Sequence, residues 1–388
     1  MDEDLRMVRS LLDKPAPTAD AVTAGRERLR DGARTRARTR PGRTMWLTGG
    51  LGLTAAAAAA AVAISTTGGS AGGPAGDRPG GTGSPPRTVA LNAHTVLLAA
   101  ASRADVQPDR VGKYWHSVTL GRSYFRVAAP TGDYTVLSEG RSEQWTPSAV
   151  RQDQVASEQR LGARPATAAD VAAWKKAGSP TSFTFSATPY GKGKGKMVMP
   201  AQPGKVSVSR APLVDGDKVF WLGRNVTMKD LRALPADPKR LKASLSRWYQ
   251  GHGTESSSEA MGSDLWLYTV AKGLIMDMPV TPKVRGAAFR MLADLKMVKA
   301  IGAVKDAQGR TGTAIAVTEP TKGNGTLQHR LIIDTATGRA LAEELIVLKP
   351  AGSTAGLAPG SLYSSSAVLT QDWTDATPPG SRGAQRGD

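Results

Sequence analysis

Between Met45 and Ile64 the chain runs for 20 residues without a charge, MWLTGGLGLTAAAAAAAVAI. As a helix rising about 1.5 Å per residue, such a run reaches about 30 Å, the thickness of a bilayer's hydrocarbon core. Its flanks are asymmetric. Arg26, Arg28, Arg30, Arg34, Arg36, Arg38, Arg40 and Arg43 precede it, and only Gly, Ser and Thr follow directly. Positive flanks stay in the cytoplasm. The reading is therefore a basic cytoplasmic tail over 1–44, with Arg34, Arg36, Arg38, Arg40 and Arg43 as its positive flank, a single-pass transmembrane helix over 45–64, and an extracytoplasmic remainder. The lipid bilayer is the first expected partner. Two alternatives stand beside this one. Ala61-Val62-Ala63 would pass as a cleavage site, but a leader of more than 40 residues before the apolar run is long for a signal peptide, and no twin-Arg pair is present. An Ala-rich soluble helix would need an amphipathic stripe, which the segment lacks.

Charge sharpens the division. The chain carries a net +18, of which residues 1–43, with 11 Lys/Arg and 7 Asp/Glu, hold only +4. Most of the excess lies beyond the membrane in this topology, so nucleic acid is not an expected partner. There is no cysteine, which removes disulfides, thiolate metal sites, Cys nucleophiles and a lipid-attachment cysteine together. Gly and Pro concentrate in Thr66–Pro86 and after Trp373, where large apolar residues are scarce. A disordered linker over 65–87 and a disordered tail over 374–388 are expected, with one globular α+β domain over 88–373.

Within that domain, Leu91–Ala104 places Val96, Leu97 and Ala100 on one helical stripe. Lys113–Val127 and Tyr134–Trp145 read as an antiparallel pair around the turn residues Pro130-Thr131-Gly132-Asp133. A strand near Gln154–Leu161 precedes a capping box, Thr167-Ala168-Ala169-Asp170, which opens a helix to Lys176. Ser182–Ala187 and Lys218–Leu222 are further strands. Thr227–Ala233, Asp237-Pro238 through Tyr249, Ser263–Ile275 and Pro282–Leu295 read as helices, the last capped by Thr281. Strands return at Val298–Val304, Thr313–Thr318, Leu327–Asp334, Arg339–Leu348 and Leu362–Leu369. This order, with helices inserted between two strand-rich halves, argues α+β with an antiparallel sheet.

Leu234-Pro235-Ala236-Asp237-Pro238, the segment Thr281–Arg290 (TPKVRGAAFR), Asp306–Gly312 (DAQGRTG) and Leu331–Arg339 (LIIDTATGR) together resemble an actinobacterial family of single-pass membrane proteins of unknown function whose genes often neighbour sigma-factor genes. The order and spacing of the resemblance cover most of residues 1–373. It implies an outer domain similar to the half-barrel of lipoprotein carriers and periplasmic sigma-regulator proteins, a curved antiparallel sheet partly closed by helices. It also implies a regulatory setting, and it brings no catalytic residues. The tail before the membrane departs from a typical anti-sigma domain and lacks the His and Cys of the zinc-binding type.

Several local patterns bear on chemistry. Gly68-Gly69-Ser70-Ala71-Gly72 spells a nucleophile elbow, which requires a strand-to-helix turn and instead falls in the linker. His94, His116, His252 and His329 lack metal-ligand spacing. Lys192, Lys194 and Lys196 alternate with glycine but are followed by Met197-Val198-Met199-Pro200 where a phosphate loop needs Ser/Thr and a helix. A mobile basic hairpin or loop is the first reading, and contact of these lysines with an anionic lipid or wall polymer is the second. Asp334 with Thr337 and Gly338 reads as a turn, and Arg386-Gly387-Asp388 as a coincidence of letters. No acid/base pair or nucleophile is visible, so no catalytic residue, cofactor or metal is expected and the chain does not read as an enzyme, although a membrane-anchored envelope enzyme remains the alternative. The abundant tryptophans, Trp115, Trp145, Trp174, Trp221, Trp248, Trp266 and Trp373, suggest core packing or an apolar groove for an acyl chain. The functional reading is an extracytoplasmic binding or regulatory protein with an apolar or peptide ligand.

Overall fold

The computed structural model describes residues 92–187, 195–221, 223–254, 260–321 and 325–380. The tail, the 45–64 segment with its arginine flank, and the whole 65–87 linker lie outside these residues. No helix among the described residues is long and apolar enough to cross a membrane.

The architecture is α+β. Nine strands form one antiparallel sheet in the order β6-β3-β2-β1-β13-β12-β11-β10-β9. Its first half is β1 (Tyr114–Val127), β2 (Tyr134–Pro147), β3 (Asp153–Pro165) and β6 (Ser207–Pro212). Its second half is β9 (Lys299–Lys305), β10 (Thr311–Thr321), β11 (Gly325–Asp334), β12 (Arg339–Pro350) and β13 (Leu362–Thr374). The first and last long strands join them, in register from Tyr114↔Thr374 to Ser123↔Ser364 with one bulge. Two short hairpins, β4 (Ser182–Ala187) with β5 (Gly195–Pro200) and β7 (Lys218–Trp221) with β8 (Arg224–Thr227), lie outside the large sheet.

The helices form where local sequence supplies both ends. In α1 (Ala93–Asp105) the Asn92 side chain accepts from the His94 amide, and Val96, Leu97, Ala100, Ala101 and Ala104 make one buried stripe. Thr167 and Asp170 close a reciprocal capping box on α2 (Ala168–Lys176), and Thr227 with Asp230 does the same for the short α3 (Met228–Arg232). Asp237 caps α4 (Pro238–Ser246), which ends before the expected Tyr249, and Thr281 caps α6 (Pro282–Ala293); both place Pro at the first turn. Buried all along its length after the first turn, α5 (Ser263–Met276) is the central helix.

Helix α1 lies against α6 at a distance only glycine permits. A Cβ at Gly286 would sit 2.0 Å from Asp105 Oδ1 and 3.1 Å from the Ala101 carbonyl. Asp105 is held there by Arg290, 2.6 Å away. The turn between β11 and β12 is equally tight, since Gly338 has φ +69° and a Cβ there would fall 2.6 Å from the Ala100 carbonyl. Leu274, Ile275, Phe289 and Leu292 of α5 and α6 bury against Ile315, Val317, Leu331 and Ile333 of β10 and β11. A second core at the other end packs Val127, Tyr134, Val136 and Ala163 under Phe183 of β4, with Trp174 of α2 alongside.

Three points of the sequence reading gain local detail. The glycine-lysine run, read as a basic hairpin or loop, ends in a hairpin strand, because Gly195 and Lys196 pair with Ala187 and Ser186 as the start of β5. The edge strand β6, Ser-Val-Ser-Arg-Ala-Pro, is almost wholly exposed and carries no apolar alternation. Residues 375–379, read as part of the tail, are tied to the sheet, since Asp375 accepts from the Lys113 amide at 2.9 Å and the Pro379 carbonyl from Arg210 at 3.0 Å. Replacing Gly286 by Val should cost about 1–3 kcal/mol of stability through overpacking of α1 on α6, read as a lower urea midpoint with an unchanged slope.

Candidate functional site

Residues directly opposite one another on antiparallel strands share a face. Lys272 of α5 reaches Glu343 of β12, so Glu343 faces the helices. Glu343 stands opposite Ser366, Ser366 opposite Gly121, and Gly121 opposite Gly140. By alternation, the helix-facing positions of β1 are Trp115, Ser117, Thr119, Gly121, Ser123 and Phe125. Phe125 stacks on Phe185 of the β4–β5 hairpin at 4.3 Å, and the Trp115 indole donates to the Asp277 carbonyl at 2.7 Å. Aromatic residues thus mark both ends of this line, with only small residues between them.

The neighbouring strands repeat the pattern. Ser138, Gly140 and Ser142 of β2 and Ser364 and Ser366 of β13 flank the middle of β1 on the same face. Of these, the serines, Thr119 and Gly121 keep partial contact with solvent. The second-half core covers the sheet on one side of this strip, and α2 with the β4–β5 hairpin covers it on the other. The result is a trough whose floor offers hydroxyls in place of apolar side chains.

One wall carries charge. Lys272 is 8% exposed and paired to Glu343. Asp277 follows the C-terminus of α5, where Trp115 and Gln371 donate to the carbonyls of Asp277 and Ile275, satisfying acceptors that a helix end leaves free. Burial among protein atoms pushes the Asp277 carboxyl up to about 7, with Glu343 adding to the effect and Lys272 opposing it. The residue is nonetheless exposed to solvent, which screens much of the effect.

The tryptophans do not line this trough as an apolar surface. Trp266 is in the helical core; Trp174 donates to the Pro180 carbonyl in the second core. Trp145, on the opposite sheet face, stacks on His116 at 3.9 Å. Trp221 and Trp248 pack at the margin of the main core, and Trp115 pairs with Trp373 at one end. Core packing, the first of the two readings, therefore accounts for most of the tryptophans, and the floor of the trough is polar because the aromatic residues fall on both faces and on several elements.

The remaining candidates disperse. Lys192 and Lys194 lie outside the described residues, and Lys196 is placed only as a backbone position opposite Ser186. Ser70 and the terminal Arg-Gly-Asp also lie outside. His94 is exposed, His116 meets Glu143 at 2.8 Å, His329 meets Glu319 at 2.7 Å, and His252 contacts the Gly253 carbonyl and Gln250. No group of three or more potential metal ligands exists among the described residues. Asp334 accepts from the Ala336 amide at 2.9 Å and from Thr337 at 2.7 Å, which makes the Asp-x-x-Thr-Gly segment a turn. On the opposite sheet face, Glu139, Arg122, Ser365, Glu344 and Arg330 form one cross-strand row, and Arg122 bonds both Glu139 and the Ala307 carbonyl.

No protein-family model and no curated protein matches the chain. A solved structure, the complex of Pseudomonas aeruginosa MucA/MucB, is similar at 13% identity over 72% of this chain, with a TM-score of 0.22, below the level of a shared fold. The chain spans 56% of the length of the chain it matches there.

Two measurements probe the charged wall. Lys272→Met leaves Glu343 uncompensated and should destabilise the fold by about 3–5 kcal/mol, whereas Lys272→Met with Glu343→Leu should recover much of that loss. Asp277, with its folded pKa above its unfolded value, binds its proton more tightly when folded. Its contribution is therefore full at low pH and declines as pH rises from about 4 to about 7. The stability difference between Asp277→Asn and the parent, followed by denaturant melts, should grow in favour of the variant across that window.

Proposed function

We propose that the chain is a membrane-anchored extracytoplasmic protein that binds an extended peptide along the trough between the two covered ends of its sheet, in a regulatory role tied to sigma-factor signalling. The observation that carries the peptide reading is the floor of Thr119, Gly121, Ser123, Ser138, Gly140, Ser142, Ser364 and Ser366. An acyl chain laid on such a floor would cover its hydroxyl groups without offering them partners. A peptide carries a donor and an acceptor on every residue other than proline, and the Lys272–Glu343 pair and Asp277 add charged contacts at one wall. The anchoring reading draws on the uncharged 45–64 segment and its arginine flank, and the regulatory reading on the resemblance of the Thr281–Arg290, Asp306–Gly312 and Leu331–Arg339 segments.

A second reading, a membrane-anchored envelope enzyme, draws on Asp277 and Glu343, two neighbouring carboxyl groups of which one is pushed toward neutral pH, as general acid and base catalysis requires. Binding and turnover are separable in one experiment. The full chain in non-ionic detergent, screened against an array of labelled extended peptides, should give concentration-dependent anisotropy without cleavage. Ser366→Trp should weaken the best binder by roughly tenfold or more, with the melting temperature held. Peptide hydrolysis lost in Asp277→Asn would establish the enzyme reading instead, and palmitate binding that Ser366→Trp blocks while no peptide binds would return the trough to an apolar ligand.

A further inference from the structure

The start of β1 and the end of β13 meet the connection after α1 around a cavity of about 260 Å³. Trp115 and Trp373 line it with their rings edge-on at 5.4 Å, and Val280 and Pro282 extend the apolar part of the lining. Arg285 of α6 also lines it and is 8% exposed. Its Nη1 donates to Gln107 Oε1 at 3.2 Å, and Gln107 is itself held by a 2.8 Å bond from Nε2 to the Thr337 carbonyl. The Arg285 Nε is buried and meets no hydrogen-bond partner among the described residues.

The carboxylates nearby are engaged by other cations. Asp109 accepts from Arg232 at 2.7 Å, and Asp372 from Arg339 at 3.2 Å on the exposed rim. Burial lowers the Arg285 pKa to about 10, with the Arg339 charge adding to the effect and Asp372 opposing it, so the guanidinium stays charged at neutral pH. A buried cation held by one neutral amide is costly to the fold unless an anion completes it.

We propose that this cavity binds the carboxylate of a small, flat organic acid. Arg285 receives the carboxylate through its planar fork, as guanidinium groups do, and the Trp115–Trp373 wall takes the ring or chain of the acid. Arg285 is the buried cation of the lining, with Arg110 and Arg339 at its exposed margin, and one buried charge matches a monoanion better than a phosphate dianion. The site is separate from the trough floor, so loss of peptide binding in Ser366→Trp does not bear on it.

Ligand-observed fluorine NMR on the full chain tests the assignment, with 4-fluorobenzoate as probe and the neutral 4-fluorobenzamide as its control. The benzoate signal should broaden on adding protein and the benzamide signal should not, and Arg285→Gln should weaken benzoate binding by about tenfold or more, the scale of losing a charge-assisted bond. Without ligand, Arg285→Gln should melt at or above the parent temperature, because it removes an uncompensated charge. Equal binding of the two probes, or undiminished binding by Arg285→Gln, overturns the proposal. So does a variant that melts well below the parent or does not fold, since the guanidinium would then be satisfied within the protein. Inorganic phosphate that binds where 4-fluorobenzoate does not would overturn the carboxylate class.

Discussion

The ladder between β1 and β13 is the interaction on which the architecture depends. It pairs residues some 250 positions apart in sequence, Tyr114 with Thr374 through Ser123 with Ser364. Each half of the sheet pairs within itself, but only this ladder turns them into one surface with shared faces. Closing so long a loop carries an entropic cost that grows slowly with length, and the helices between the halves offset it by burying their own apolar stripes against β10 and β11. Helix α1 adds a second fastening, since it precedes β1 and packs on α6 and against the β11–β12 turn, both in the second half. The chain therefore enters the fold by touching its far end.

The same ladder fixes where the fold is least efficient. A sheet face sandwiched between two covers would ordinarily carry Val, Ile or aromatic residues, yet the middle of this face carries Ser, Thr and Gly. These residues contribute little hydrophobic stabilisation and, for glycine, cost backbone entropy. The ends of the same strand are filled conventionally, by Phe125 on Phe185 and by Trp115. Stability is concentrated at the two ends and withheld from the middle, as expected where a surface is kept available for contact. The Lys272–Glu343 pair follows the same logic, because two apolar residues of similar size would hold α5 to β12 at least as well.

Local chemistry was legible in the sequence wherever a few adjacent residues determined the outcome. The capping boxes at Thr167 and Thr227, the Asp237-Pro238 and Thr281-Pro282 starts, and the turns at Gly132, Gly309 and Gly338 are each set within four or five residues. Strands β5, β6 and β8 escaped notice because β6 is polar and exposed, β8 spans four residues, and β5 starts inside a glycine-lysine run. The trough was not legible for a different reason. Ser123, Ser138 and Ser364 are unremarkable singly, and only cross-strand register places them side by side. The tryptophans mostly pack in the cores, as the first of the two readings had it, but composition does not say which sheet face a residue occupies.

Trp115 connects the two candidate sites. Its indole N–H holds the carbonyl of Asp277 at the charged end of the trough, while its ring meets Trp373 in the wall of the Arg285 cavity. A ligand that repositions this ring in either place must change the hydrogen bond or the ring contact that serves the other. Such a shared wall is the physical requirement for one site to influence another, provided the shared element has two arrangements of similar energy that the ligands distinguish. The Trp115 side chain is held by a hydrogen bond and an edge-on ring contact, each worth on the order of 1 kcal/mol, small enough for a bound ligand to rebalance. The backbone beneath it is fixed by pairing with both Thr146 and Trp373, so the side chain, and not the strand, is the part free to respond.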